Sequence, residues 1–215
     1  MGPIGLFGGT FDPIHFGHLR TALELLRELR LAEVRFTPCG RPPHGKMPVA
    51  SAAFRLDMVK TAVAGQPGFV VDERELNRSG PSYTVETLES LRAESASRSI
   101  GLIVGMDAFV DIGSWHRSDD ILRLAHVIVA RRPGSASPDS GHAGELLAAS
   151  GVTDRAALAA VPAGKILVHT VTQLEISSSA IRAAARVGQS QRYLVPDDVA
   201  ALIETTGCYA SGAIR

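Results

Sequence analysis

Residues 8–18 read GGTFDPIHFGH, directly after the apolar run IGLF (4–7) and directly before LRTALELLRELRL (19–31). The apolar run suits a buried strand, and the last segment puts Leu19, Leu23, Leu26 and Leu29 on one helical stripe. The join between them is therefore a strand-to-helix loop. Gly8 and Gly9 carry no Cβ, so backbone there can approach a ligand closely and reach positive φ, while the helix that follows turns unpaired N–H groups and its positive dipole end toward an anion. Such a loop is a phosphate site. It matches neither GxGxxG nor GxxxxGK[ST], so neither the dehydrogenase fingerprint nor the P-loop is supported. Asp12 and Pro13 set the turn, and His15 and His18, three apart, share one side of the first helical turn.

Outward from this loop, short apolar runs ending in Gly, Pro or Asp alternate with helical patterns. Strands are expected over 4–7, 34–38, 69–72, 100–105, 126–131 and 166–172, and helices over 19–31, 53–64, 84–94 and 181–186. This alternation predicts an α/β, Rossmann-like doubly wound parallel sheet with helices on both faces, a single domain over 1–215. A 3-2-1-4-5 strand order would bring the loop at 8–18 opposite the loop at 105–107, across the switch point. The Ser, Gly and Pro-rich segment 132–144 reads as a surface loop with a helix over 145–150 behind it. At the C-terminal end, Pro196 and Asp197 start a last helix and Gly207 stops it.

The 215 residues carry 22 Lys+Arg against 22 Asp+Glu, with 45% hydrophobic and 20% charged residues, a globular composition. A formal net charge of zero argues against a surface built for the nucleic-acid backbone or an anionic membrane, so any phosphate must be held locally. Cys39 and Cys208 lack CxxC spacing and read as free thiols in a reducing compartment. The opening MGPIGLFGG has no basic n-region, and no apolar run reaches 18 residues, so a cytoplasmic location is expected.

Three readings of the histidine pair compete: donors to phosphoryl oxygens, metal ligands, or structural caps. A metal would need a third partner that the sequence does not offer, and caps would not need Gly17 between them, so the donor reading leads. A second segment, ISSSAIR (176–182), offers Ser177, Ser178 and Ser179 as N-cap and first turn, with Arg182 one turn in. Taken alone it is a well-capped amphipathic helix; beside GGTFDPIHFGH it is a second helix mouth for anions.

The two segments together resemble the nucleotidyltransferase superfamily that carries HxGH and ISSTxIR-like motifs. PPHGK (42–46), SYT (82–84), GMDAF (105–109), SWH (114–116), ARRPG (130–134) and YLVPDDV (193–199) are similar, in order, to the bacterial nicotinate-nucleotide adenylyltransferases. The resemblance spans roughly Gly5 to Tyr209. It implies transfer of the adenylyl group of ATP to nicotinate mononucleotide, giving deamido-NAD and pyrophosphate, with Mg²⁺ carried by the ATP phosphates and no protein metal site. Small molecules are then the only expected partners, without nucleic acid or membrane; the sequence leaves a homo-oligomer open. Nicotinamide mononucleotide or phosphopantetheine as acceptor, and a non-catalytic nucleotide-binding module, are the alternatives.

The same resemblance implies His15, His18 and Arg182 as catalytic residues. It puts ATP against Gly8, Gly9, Thr10, Phe11, His15, His18, Gly105, Asp107, Ile176, Ser177, Ser178 and Arg182. Lys46, Tyr83, Thr84, Trp115 and Arg132 fall to the acceptor. Asp107 suits a ribose hydroxyl or a helix N-cap, and Trp115 a pyridinium platform or a core anchor. Gly45 separates PPH from Lys46, with Arg41 as an alternative cation, and His116 stands where an aromatic residue often follows the tryptophan.

Overall fold

The computed structural model describes residues 2–43, 47–134, 136–172 and 174–211. Among them, seven strands form one sheet: β1 (Ile4–Gly9), β2 (Glu33–Pro38), β3 (Phe69–Val71), β4 (Ile100–Gly105), β5 (His126–Arg131), β6 (Gly151–Val152) and β7 (Ile166–Thr170). Every pairing is parallel, in the order β3-β2-β1-β4-β5-β7-β6. The expected 3-2-1-4-5 run is present, and the strand expected over 166–172 extends it beyond β5. Strand β6 is new; two residues are too short to leave a pattern.

The helices are α1 (Phe16–Glu28), α2 (Ala52–Val63), α3 (Thr84–Glu94), α4 (Met106–Val110), α5 (Ser118–Leu124), α6 (Gly141–Ser150), α7 (Ala156–Ala160), α8 (Ser178–Arg186) and α9 (Asp197–Thr206). They cover both faces of the sheet, because successive strand residues point to opposite sides. Ile103 and Ile128 join the core packed by α1, α2, α8 and α9, whereas Leu102, Val104, Val127 and Val129 join the core packed by α3 to α6. A strand buried on both faces has no polar side to show, which is why 126–131 reads as a nearly continuous apolar run.

Several boundaries differ from the sequence reading by a few residues: β1 runs on to Gly9, β7 ends at Thr170, α1 ends at Glu28 and α8 starts at Ser178. Helix α1 starts at Phe16 rather than Leu19, since an N-cap and first turn need no leucine stripe. Helix α6 starts at Gly141, so residues 141–144 of the expected loop are helical, with Ala143 and Gly144 buried. The helix from Asp197 with a left-handed stop at Gly207 (φ 60°) is as expected.

The position of the site follows from register. Strand β1 stays paired with β2 through Gly9↔Pro38, but with β4 only through Leu6↔Leu102. Beyond Leu6 the C-terminal end of β1 has no β4 partner, and the sheet opens there. This is the switch point at which α/β sheets hold ligands.

Candidate active site

The loop after β1 takes its left-handed residue at Phe11 (φ 48°), not at Gly8 or Gly9, which lie outside that region. The positive φ expected of these glycines is therefore absent, while the room for close approach at Gly8 is present. A Cβ on Gly8 would meet nothing within 4 Å, so the missing side chain leaves open space beside the strand end; a Cβ on Gly9 would lie 2.9 Å from the Phe11 ring. Asp12 and Pro13 are joined by a cis peptide, and His15 is the extended N-cap of α1.

His15 and His18 stack, with ring centroids 3.7 Å apart, and the Phe11 ring meets His18 edge-on at 5.2 Å. A Cβ on Gly17 would lie 2.9 Å from the His15 ring, so a side chain at this position would press on that ring in its stack with His18. The His15 backbone N–H donates to His18 Nδ1 at 3.3 Å. That bond leaves the His18 proton on Nε2, as a donor. The Nδ1 of His15 is buried and makes no hydrogen bond.

Burial lowers the pKa of His15 to about 4; burial and the neighbouring His15 lower that of His18 to about 3. Both rings are uncharged at neutral pH. As the ordinary value is 6.5, an unfolded chain takes up protons below that pH that the folded chain refuses, so stability falls as pH drops from about 6.5 toward 4. His18→Asn keeps an acceptor for the His15 N–H but removes the titration. Between pH 7 and 5 the wild type should lose more thermal stability than this variant, by about 1–2 kcal/mol or on the order of 4 °C. Buried His126, whose pKa burial also lowers, is common to both chains and cancels. Equal losses in a calorimetric pH series would show that His18 adds nothing to acid sensitivity.

The second helix mouth abuts the first. Ser177 caps α8, accepting from the Ala180 N–H (3.2 Å), and Ser178 Oγ donates to the Pro13 carbonyl (2.9 Å). Arg182 donates from Nη1 to the Asp12 carbonyl (2.6 Å) and from Nη2 to Ser179 Oγ (3.2 Å). The HxGH loop is thus fastened to α8 at two successive residues, Asp12 and Pro13.

A cavity of about 340 Å³ lies at the open end of the sheet. Gly8, Gly9, Phe11, His15, His18, Gly105 and Ile176 line it, together with Arg132. Arg132 therefore shares a cavity with the residues expected at ATP, not with those expected at the acceptor. Thr10, Asp107, Ser177, Ser178 and Arg182 stand outside the lining. Asp107 is exposed in the first turn of α4, whose N-cap is Gly105, so the capping alternative for Asp107 does not hold.

A second cavity, about 210 Å³, brings together Pro43, Ser82, Tyr83, Thr84, Trp115 and His116. Tyr83 is the N-cap of α3 and makes no side-chain capping bond, so the first-turn N–H groups of that helix have no partner from it, and Tyr83 and Thr84 both line the pocket. Trp115 is half-buried: it packs against the core that holds Phe109 and Ile112 and also lines the pocket, so its two sequence readings coexist. The expected Lys46 lies outside the described residues.

Several contributors escaped sequence reasoning. The His116 ring lies 4.2 Å from that of Tyr83 at 33°, adding an aromatic face at the position where an aromatic residue often follows the tryptophan. Thr21, one turn after His18, lines the main cavity; its spacing from the motif was the available signal. Ser82 Oγ accepts from the N–H groups of Gly40 and Arg41 (3.0 and 3.2 Å). Arg55 and Tyr209, each buried, contact the HxGH loop: Arg55 Nη1 donates to the Thr10 carbonyl (2.7 Å) and Tyr209 Oη to Asp12 Oδ1 (2.7 Å). Arg55 falls on the same helical face as Met58 and Val59, and a charge on an apolar stripe was the clue.

A parallel α/β sheet opened at its switch point, with a neutral imidazole pair and a capped serine–arginine helix at one loop, defines a nucleotide-handling site. The cytidylyltransferase-like family model matches residues 6–184. Curated relatives include probable nicotinate-nucleotide adenylyltransferases from Methylococcus capsulatus, 46% identical over 96% of this chain and 99% of that one, and from Pseudomonas syringae pv. tomato, 47% identical over 96% and 93%. The fold is similar to that of the Plasmodium falciparum nicotinic acid mononucleotide adenylyltransferase complexed with NaAD (TM-score 0.69, 17% identity, 97% and 98% covered). The chain belongs to the cytidylyltransferase-like family and, within it, to the nicotinate-nucleotide adenylyltransferases. Among the described residues no helix is long and apolar enough to cross a membrane.

Proposed function

We propose that the chain transfers the adenylyl group of ATP to nicotinate mononucleotide, releasing pyrophosphate and deamido-NAD, by direct in-line attack of the acceptor phosphate on the ATP α-phosphorus. The observation that carries this reading is the stacked, uncharged His15–His18 pair lining the cavity where β1 and β4 part. The acceptor phosphate has a second pKa of about 6 and is mostly ionised at neutral pH, so no strong base is needed. The protein's task is then to position two substrates and stabilise spreading charge.

In this reading ATP occupies the larger cavity. The adenosine lies near Gly105 and Ile176, with Asp107 as a ribose partner, and the phosphates face Gly8, Gly9, Thr10, Phe11 and the Nε2–H of His18. Ser177, Ser178 and Arg182 add the second helix mouth. Mg²⁺ arrives with the substrate as MgATP and neutralises the leaving pyrophosphate; among the described residues no group of three His, Cys, Asp or Glu could hold a metal of the protein's own. The pyridine ring stacks on Trp115, and its carboxylate takes the N–H groups at the start of α3 by Tyr83 and Thr84. Lys46 holds the acceptor phosphate, and Arg132, which lines the larger cavity, meets the phosphates there.

Pyrophosphate release with ATP and each of nicotinate mononucleotide, nicotinamide mononucleotide and phosphopantetheine tests the assignment. The nicotinate form should lead in kcat/KM by about 5- to 30-fold, an anion at a helix N-terminus being worth about 1–2 kcal/mol over a neutral amide. Faster transfer to the amide form overturns the acceptor, and absence of release with all three overturns the activity. Trp115→Ala should raise the acceptor KM about 5- to 30-fold, the loss of about 1–2 kcal/mol of ring contact, with the KM for MgATP little changed. An unchanged acceptor KM with a lowered melting temperature would leave Trp115 a core residue alone.

A further inference from the structure

Two buried ionic side chains near the larger cavity are unused by the proposed reaction. Arg55 is 1% exposed, and its guanidinium spans two carbonyls from different loops: Nη1 donates to Thr10 (2.7 Å) and Nη2 to Gly40 (3.3 Å). Thr10 belongs to the HxGH loop. Gly40 is docked through its N–H onto Ser82 Oγ (3.0 Å), next to Tyr83 and Thr84 of the smaller cavity. Arg55 therefore ties one cavity's loop to the other's.

Asp12 anchors the same HxGH loop from another side. Its carboxylate, 4% exposed, accepts from the N–H groups of Val49 (2.8 Å, Oδ2) and Ala50 (3.1 Å, Oδ1) and from the Tyr209 hydroxyl (2.7 Å, Oδ1). The Asp12 carbonyl meanwhile accepts from Arg182. Burying a cation and a carboxylate costs desolvation that an apolar pair of the same volume would avoid. An apolar pair could not join backbone groups across two loops, whereas a planar guanidinium reaches two carbonyls at fixed separation.

We propose that Arg55 is a positioning residue which braces the ATP-side loop against the acceptor-side loop and so sets the distance between the two substrates, with Asp12 holding the ATP-side end of that brace against Val49, Ala50 and Tyr209. The inference rests on the proposed transfer reaction. In-line displacement tolerates little misplacement, and a shift of about 1 Å between reactants can cost about 100-fold in rate. A brace of this kind acts on kcat, since each substrate still finds its own cavity intact.

Arg55→Lys retains the charge but reaches only one carbonyl. With MgATP and nicotinate mononucleotide, kcat should fall by about 10-fold or more with both KM values within about threefold of wild type. Amide hydrogen exchange should rise together in residues 8–18 and 38–43. A kcat within twofold of wild type, a loss confined to one KM, or exchange rising in only one of the segments would each overturn the proposal. Tyr209→Phe, which removes one hydroxyl from Asp12, serves if Arg55→Lys does not fold: kcat should drop about threefold, with faster exchange in 8–18, and no change in either overturns the role. A wild type that releases no pyrophosphate counts against the reaction, and the exchange measurement then decides the brace by itself.

Discussion

Replacing His18 by Ala should lower kcat by about 100-fold or more while the KM for MgATP stays within a few-fold, the signature of a donor that acts on transition-state charge. His18 Nδ1 is occupied by the His15 N–H, and burial holds the ring's pKa near 3, so the neutral ring keeps its Nε2–H to donate at every pH at which the acceptor phosphate is ionised. A neutral donor fixed by stacking and by Phe11 needs no reorganisation as charge builds on the phosphoryl oxygens. The rate of the wild type should accordingly show no limb near pH 6.5 from this residue, only that of the acceptor phosphate. Steady-state pyrophosphate release over pH 5–9 for wild type and variant checks both points; a near wild-type rate in His18→Ala refutes the role.

Arg182→Ala should cost as much by a different route. The guanidinium fastens α8 to the HxGH loop through the Asp12 carbonyl and Ser179, and it carries the positive charge of the second helix mouth. Its loss should lower kcat/KM for MgATP about 100- to 1,000-fold, and the carbonyl left unpaired should reduce stability by about 1–3 kcal/mol. Arg182→Lys restores charge without the fork and should recover only part of the rate. Denaturant melts beside the kinetics separate the two roles: lost stability with unchanged kcat/KM would make Arg182 a strut and no more.

How far the sequence could be read depended on the range of the interaction. Local rules exposed α8 and its Ser177 cap, the Gly207 stop and the double-sided strands, because caps and periodicity are written in neighbouring residues. The same rules misplaced the left-handed residue: glycine is the default for positive φ, yet Phe11 takes it, its ring buried among Phe7, Phe36 and His18. Packing outweighed a backbone cost of about 1–2 kcal/mol. The neutral state of the histidines was equally out of reach, because desolvation depends on what covers a ring, not on what precedes it in the chain.

By itself the sequence determined the strand and helix alternation, the strand order around β1 and β4, and the two helix mouths, all of which follow from short-range pattern and the handedness of βαβ crossovers. Only the tertiary structure decided that β1 leaves β4 after Leu6, that His15 and His18 stack uncharged, and that Thr10, Asp12 and Gly40 are held by Arg55, Tyr209 and Arg182. Those bonds join residues 15 to 197 positions apart. Separations of that size leave no periodicity in the chain; they exist only once the sheet has brought its strand ends to one side.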